Sequence, residues 1–276
     1  MTTQDLASWI GRKEVCDDNI DIGHVRKIAL SLDAPAPGEG DPLPLLWHWG
    51  LFINALPYDQ LGADGHPKRG GFLPPADDRN RMWAGGRLEF IQPLRAGIKG
   101  QRVSTVAAIT EKEGRTGKLL FATVKHEYVQ GGVLCISEEQ DIVYREPSPP
   151  RLEGSVAAPS AQWSVSVEPT TIKLFRYSAV TFNGHRIHYD HPYVSETEGY
   201  PGLVVHGPLI ATLMCQAFSQ AHPDKVVTSL SYRGLRPLMA PQPFLVAGAL
   251  GEEGSARLWA EQDGTLAHHA DVRFNA

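Results

Sequence analysis

Four of the chain's 11 histidines (His185, His188, His191 and His206) fall between Phe175 and His206, several times the density of an even spread. An imidazole can take up and return a proton near neutral pH, and a well-placed one speeds such a step typically ~10²–10⁴-fold. The string NGHRIHYD brings Asn183, His185, His188 and Asp190 together in one short segment. Asn183-Gly184 is a turn signal, so the segment reads as an irregular loop whose side chains converge on a ligand. His188 is the candidate acid/base there. Asn183, with its amide, can hold a water or a substrate oxygen. Asp190 either orients the His188 ring or caps the next helix. A metal site made of His185, His188 and Asp190 is the competing reading. Short spacings of that kind are unspecific, and no metal is expected.

Just downstream, Val204-Val205-His206-Gly207-Pro208 opens an apolar run. A glycine at a helix start lets a carbonyl group approach the backbone, and the unpaired N–H groups there favour developing negative charge. Gly207 is therefore the candidate oxyanion site, with a plain N-cap glycine as the alternative, and His206 marks the approach to it. Arg81, Arg87, Arg186, Arg233 and Arg236 lie near these segments in sequence. They are candidates for holding a substrate carboxylate or phosphate.

These groups need a scaffold. Pro208 suits a first helical turn. Leu209, Ile210, Leu213, Met214, Ala217 and Phe218 form one apolar stripe, and Pro223 stops the helix. Strand signals follow: VTSLSYRGLRPLM, QPFLVAGALGE, ARLWAEQDG and AHHADVRFN. The first part of the chain carries a matching set, RLEFIQPL, KGQRVSTVAAITEKEG, GKLLFATVKHEYVQGG and VLCISEEQDIVYRE. Pro93-Leu94 matches Pro237-Leu238, and Val25–Asp33 matches Phe175–Asn183, so the plan reads as a degenerate duplication. Each half is expected to wrap a sheet around one long helix, in an α+β fold. The halves span residues 1–145 and 171–276, separated by a Pro/Ser/Ala-rich linker at 146–170. Joined edge to edge, they would hide two strand edges.

Bulk properties exclude several classes. Net charge is −5, with no basic patch of the kind nucleic acid requires. Leu43–Leu56 is the longest apolar region, and Pro44, His48 and Asn54 interrupt it, which rules it out as a membrane span. Met1–Asp17 lacks the apolar core of a signal peptide. Three scattered cysteines, Cys16, Cys135 and Cys215, form neither a disulfide framework nor a zinc knuckle. Reduced thiols and a cytoplasmic location are expected.

The strings TFNGHRIHYD and VVHGPL resemble the signature of MaoC-like hydratases, S-G-D-x-N-P-x-H-x-D. The subgroup is similar to mesaconyl-C4-CoA hydratase, itaconyl-CoA hydratase and the type-2 hydroxyacyl-thioester dehydratases. The resemblance spans nearly the whole chain, because RMWAGGRLEFIQPLRAG is similar to the inactive first unit of the two-domain dehydratases. It implies a double hot-dog fold and a hydro-lyase acting across the C2–C3 bond of an enoyl-CoA, with a short dicarboxylic C5 acyl group. CoA would enter only as part of the substrate, with no other cofactor, and the chain would act alone or as a homodimer. Within the motif His188 falls on the catalytic His, Asp190 on the last Asp, His185 on the Asn, and Asn183 on the catalytic Asp. The last match is a departure, since an amide cannot act as a base. The first half has Asp33 opposite Asn183 but Gly38 where the His would fall, so one centre per chain is implied. The rival readings are dehydration of a 3-hydroxyacyl group on acyl carrier protein, and a non-catalytic acyl-thioester-binding module.

Overall fold

A computed structural model of the chain describes residues 6–76, 79–114, 117–146 and 148–275. Its strands are β1 (Lys13–Asp18), β2 (Asn80–Phe90), β3 (Gly100–Gly114), β4 (Gly117–Gln130), β5 (Val133–Arg145), β6 (Trp163–Val167), β7 (Val226–Gly234), β8 (Phe244–Leu250), β9 (Ser255–Gln262) and β10 (Thr265–Asn275). The helices are α1 (Ile22–Ser31), α2 (Thr171–Val180), α3 (His191–Glu196) and α4 (Gly207–Ala221). All ten strands form one antiparallel sheet, in the order β1-β3-β4-β5-β2-β7-β10-β9-β8-β6.

Each half contributes five strands with the same internal order, and the halves meet where β2 pairs with β7 between Gly85–Glu89 and Ser229–Arg233. Outside the strands the duplication recurs. An isolated bridge joins Pro42 to Arg95 in the first half, and another joins Val204 to Met239 in the second. Asp21 caps α1 by accepting the His24 N–H at 2.8 Å, and Thr170 caps α2 by accepting that of Lys173 at 3.1 Å. A left-handed residue follows each helix, Asp33 (φ 53°) and Phe182 (φ 52°). That geometry makes Asp33 the counterpart of Phe182, one residue out of step with the sequence pairing to Asn183.

Two expectations need correction. The linker is shorter than 146–170, because Trp163–Val167 is strand β6, paired with β8. The long central helix is present only in the second half, where α4 is buried almost all round against β6, β8, β9 and β10. In the first half the described residues between 34 and 79 hold only two 3-10 turns, Trp47–Gly50 and Tyr58–Gln60. Pro35, Pro37, Pro42 and Pro44 keep the segment before Leu45 out of a helix. In the proline-free run 45–56 the left-handed backbone at Leu46 (φ 67°) and Phe52 (φ 53°) limits the helical geometry to one 3-10 turn. Leu46, Trp47, Leu51 and Phe52 fill the core there. Beneath them is a buried carboxylate, Glu138, which accepts from Trp49 (2.9 Å), Tyr128 (3.0 Å) and Gln140 (2.7 Å) and lies 3.3 Å from His48. No described helix is long and apolar enough to cross a membrane.

Candidate active site

The loop after α2 is shaped by its own side chains. The Asn183 N–H donates to the Ser178 carbonyl at 2.8 Å. Its Oδ1 accepts the His185 N–H at 3.0 Å, an Asx turn that swings the chain into the 3-10 turn Arg186–His188. Asp190 then caps α3, accepting the Tyr193 N–H at 3.2 Å, and pairs with Arg186 at 2.8 Å. Of the two roles open to Asp190, the structure assigns capping. Arg186 is also fully engaged: it stacks on Tyr193 and donates to the Ala63 carbonyl, so it braces the loop.

His188 is buried and is oriented by backbone. Its Nδ1 lies 2.7 Å from the Val204 carbonyl oxygen. A carbonyl only accepts, so Nδ1 carries the proton and the neutral ring leaves Nε2 with a free lone pair. Burial holds the ring neutral and brings its pKa down to about 4. His206 stacks on it, with centroids 3.7 Å apart and planes 19° from parallel. The His206 Nε2 is in turn 2.8 Å from Ser178 Oγ, and its ring packs edge-on against Tyr177. His206 is fully buried. It therefore fixes the plane of His188, and its Nδ1 is left without a hydrogen-bond partner.

His206 is also the residue before α4, so the His188 ring stacked on it lies close to the helix N-terminus. Ile210 is the first residue bonded back into the helix, to the His206 carbonyl at 3.0 Å. Pro208 has no N–H, which leaves those of Gly207 and Leu209 as free donors. A Cβ on Gly207 would lie 3.5 Å from the Trp83 ring and 3.8 Å from Tyr232 Oη and the His268 ring. These three side chains wall the space in front of the helix end.

His185 has a different set of neighbours. Its ring is 4.1 Å from that of His66 and 5.4 Å from that of His188, centroid to centroid. Asp64 Oδ2 is 3.4 Å from His66 Nδ1. The loop carrying Asp64 and His66 docks on the catalytic loop through the Arg186 N–H to Asp64 carbonyl bond (3.0 Å). Gly65, at φ 85°, permits that approach, because a side chain there would collide with the Gly184 carbonyl. Asp64, His66 and His185 place ligand-type atoms within 4.8 Å of one another. The metal set suggested by spacing, with His188 and Asp190, is not assembled, as both are committed elsewhere.

Other candidates are placed away from this centre. Arg87 pairs with Glu139 (2.6 Å) and Asp141 (2.8 Å) on the outer face of the sheet. Arg233 is exposed on that face too, since its neighbour Tyr232 points inward. Arg87 lines a groove of about 740 Å³ on that outer face. Arg236 donates to the carbonyls of Gln262, Thr265 and Leu266. His191 opens α3 and is exposed. Trp83, Tyr232, His66 and Asp64 carried no signal as single residues; only Asp64-Gly65-His66, a glycine turn flanked by an acid and an imidazole, had a local pattern to find.

The ten-stranded double hot-dog, with a buried imidazole beside a helix N-terminus, is the arrangement of MaoC-like dehydratases. A MaoC-like dehydratase from Phytophthora capsici superposes with a TM-score of 0.72 at 14% identity, covering 100% of this chain and 99% of its own. At that identity the likeness shows the fold. The chain belongs to the hydroxyacyl-thioester dehydratase type 2 family, whose model matches residues 46–240 and so spans both halves. It is 45% identical to a mesaconyl-C(4)-CoA hydratase of Chloroflexus aurantiacus over 249 residues, 88% of this chain and 89% of that protein. It is 29% identical to the mitochondrial hydroxyacyl-thioester dehydratase type 2 of Schizosaccharomyces pombe, over 87% of this chain and 86% of that one. The chain is accordingly an enzyme of the hydro-lyase type.

Proposed function

We propose that this chain hydrates the C2–C3 double bond of a short branched dicarboxylic enoyl-CoA, with mesaconyl-C4-CoA as the substrate; itaconyl-CoA, the related candidate, carries its double bond one carbon further from the thioester and must first isomerise into conjugation. The observation that carries this reading is the fixed tautomer of His188, whose Nδ1–H is spent on the Val204 carbonyl. Nε2 takes a proton from water as the hydroxide oxygen bonds to C3. The π electrons move through C2 onto the thioester oxygen, which sits at the α4 N-terminus on the Gly207 N–H. One such donor lowers a barrier by roughly 2.7–4 kcal/mol. The enolate then collapses, and His188 delivers its proton to C2 on the same face, a syn addition.

Asn183 supports the water through its amide NH₂, because its Oδ1 holds the loop. An amide cannot share the base role, so His188 performs both proton transfers. Water loss from a 3-hydroxyacyl thioester, on CoA or acyl carrier protein, is the same path reversed, and the name of the Schizosaccharomyces relative favours that direction. A cytoplasmic location and a homodimer of two-half chains belong to this reading; the three free thiols support the former.

The test is turnover of mesaconyl-C4-, itaconyl- and crotonyl-CoA by the wild type and by His188→Ala. The expected loss in kcat is ~10²–10⁴-fold. Undiminished turnover by the variant would overturn the mechanism, and no turnover of any enoyl-CoA by the wild type would overturn the function.

A further inference from the structure

We propose that Arg81, with the ring nitrogens of His66 and His185, forms a carboxylate-binding subsite beside His188 that selects acyl groups carrying a free carboxylate at the carbon that receives water. This rests on the enoyl-CoA hydratase reading and deepens it.

Register places the guanidinium. Arg81 pairs with Tyr144 and Trp83 with Ile142 across β2 and β5, and the strand bulges only after Trp83. Side chains two apart on a strand share a face. Arg81 therefore lies on the inner face with Trp83, whose ring borders the Gly207 space, while Met82 between them is exposed. Among the described residues no ion pair includes Arg81. A half-buried guanidinium without a carboxylate partner is a ready anion site.

His66 and His185 complete it. The His66 Nδ1 is buried and has Asp64 Oδ2 3.4 Å away, too poorly aligned for a good hydrogen bond. Burial is the main reason that both rings stay neutral, and the Arg81 charge adds to it at each, which puts all three groups within electrostatic reach. In a mesaconyl-C4 group the carboxylate is bonded directly to the carbon attacked by water, so its subsite must adjoin the base. His185, in edge-on contact with His188, meets that requirement.

The same atoms, with Asp64, could be read as a divalent-cation site. The charged groups that act on His66 are one carboxylate, Asp64, and two guanidinium groups, Arg81 and Arg69. Their net charge is positive, which weighs against a cation and toward an anion.

The experiment compares kcat/KM for mesaconyl-C4-CoA and crotonyl-CoA, which lacks the carboxylate, in the full-length wild type, Arg81→Gln and His66→Gln. A site built for a polar group rejects the analogue without it by large factors. The wild type should prefer mesaconyl-C4-CoA, and Arg81→Gln should lower that preference at least ~100-fold, His66→Gln less so. If Arg81→Gln fails to fold, Arg81→Lys makes the same comparison with an expected loss of about tenfold, as the two-pronged fork is gone. Equal losses on both substrates, or a wild type that turns over crotonyl-CoA as well as mesaconyl-C4-CoA, would overturn the subsite and leave the hydratase reading standing. Micromolar zinc inhibition that His66→Gln abolishes and Arg81→Gln leaves in place would assign the cluster to a metal, and also overturn it. No turnover of either thioester would instead count against the function.

Discussion

His188 is defined by what it touches. The Val204 carbonyl sets its tautomer, the His206 face sets its plane, and burial keeps it neutral. None of these partners is a carboxylate, so in the proposed mechanism the ring acts without the acidic partner that its motif would normally supply. Asn183 occupies that acidic position and spends its oxygen on the His185 N–H. Replacing Asn183 by Ala removes the turn-forming acceptor and the amide donor together. Such a capping bond is worth about 1 kcal/mol, so Asn183→Ala should fold with a slightly lower midpoint. Its kcat/KM should fall at least tenfold, because the loop no longer holds His185 and water in place; kinetics beside urea denaturation would check this. Unchanged kcat/KM would remove Asn183 from the mechanism.

At the scale of elements, the helix start matters more than the helix. Most of α4 is core, with Leu209, Ile210, Met214 and Phe218 each nearly inaccessible. Its first residue faces a space walled by Trp83, Tyr232 and His268, and a methyl group would fit there at ordinary contact distance. Alanine is the better helix former by up to about 1 kcal/mol. Gly207→Ala should therefore fold at equal or higher stability while losing activity, because the added methyl sits where the thioester oxygen must approach. A thermal melt with a kcat/KM measurement would separate the two effects. Full activity would place the oxyanion elsewhere.

Across the whole molecule, the halves have the same strand order but different cores. The second half packs around α4. The first packs around the Trp47–Gly50 turn and Glu138, whose oxygens gather Trp49, Tyr128, Gln140 and His48. Burial works to raise the Glu138 pKa, but the His48 hydrogen bond and charge outweigh it and bring it down to about 2. Glu138→Ala should cost about 3–5 kcal/mol, the usual effect of removing one member of a buried charged network; chemical denaturation would measure it. Acid should act on both halves. Burial lowers His126, His188 and His268 to about 4 and His185 to about 2. These rings are neutral in the fold, whereas in the unfolded chain they titrate near 6.5. Between those values the unfolded state binds more protons, so stability falls as pH drops from 6.5 toward 4, by about 1.4 kcal/mol per pH unit for each ring. The ionised Glu138 adds a loss in the same direction as pH falls from 4.5 toward 2. Urea midpoints at pH 7.5 and 5.5 should differ clearly, with the lower at pH 5.5; equal midpoints would mean that the rings are charged in the fold.

The sequence by itself determined whatever is encoded over short distances. The strand runs carry their own alternation, Pro208 and the apolar stripe define α4, and the Asn-Gly turn with its histidines locates the candidate loop. The duplication was legible because strands and turns repeat in order. Tertiary structure decided what depends on residues far apart in the chain. Which face of β2 points inward is set by pairing and by the bulge after Trp83, so Arg81 and Trp83 share the inner face while Arg87 lies on the outer one. The docking of Asp64 and His66 on His185 depends on a close backbone approach between Gly65 and Gly184, which are distant in sequence. Likewise the choice of Val204 as the partner of His188 follows from packing across the loop, since no spacing rule distinguishes one backbone carbonyl from another. The described residues of the first half hold no long central helix, because left-handed backbone at Leu46 and Phe52 interrupts the run that could have formed one, and only the folded chain shows that aromatic rings and one buried carboxylate fill that core instead.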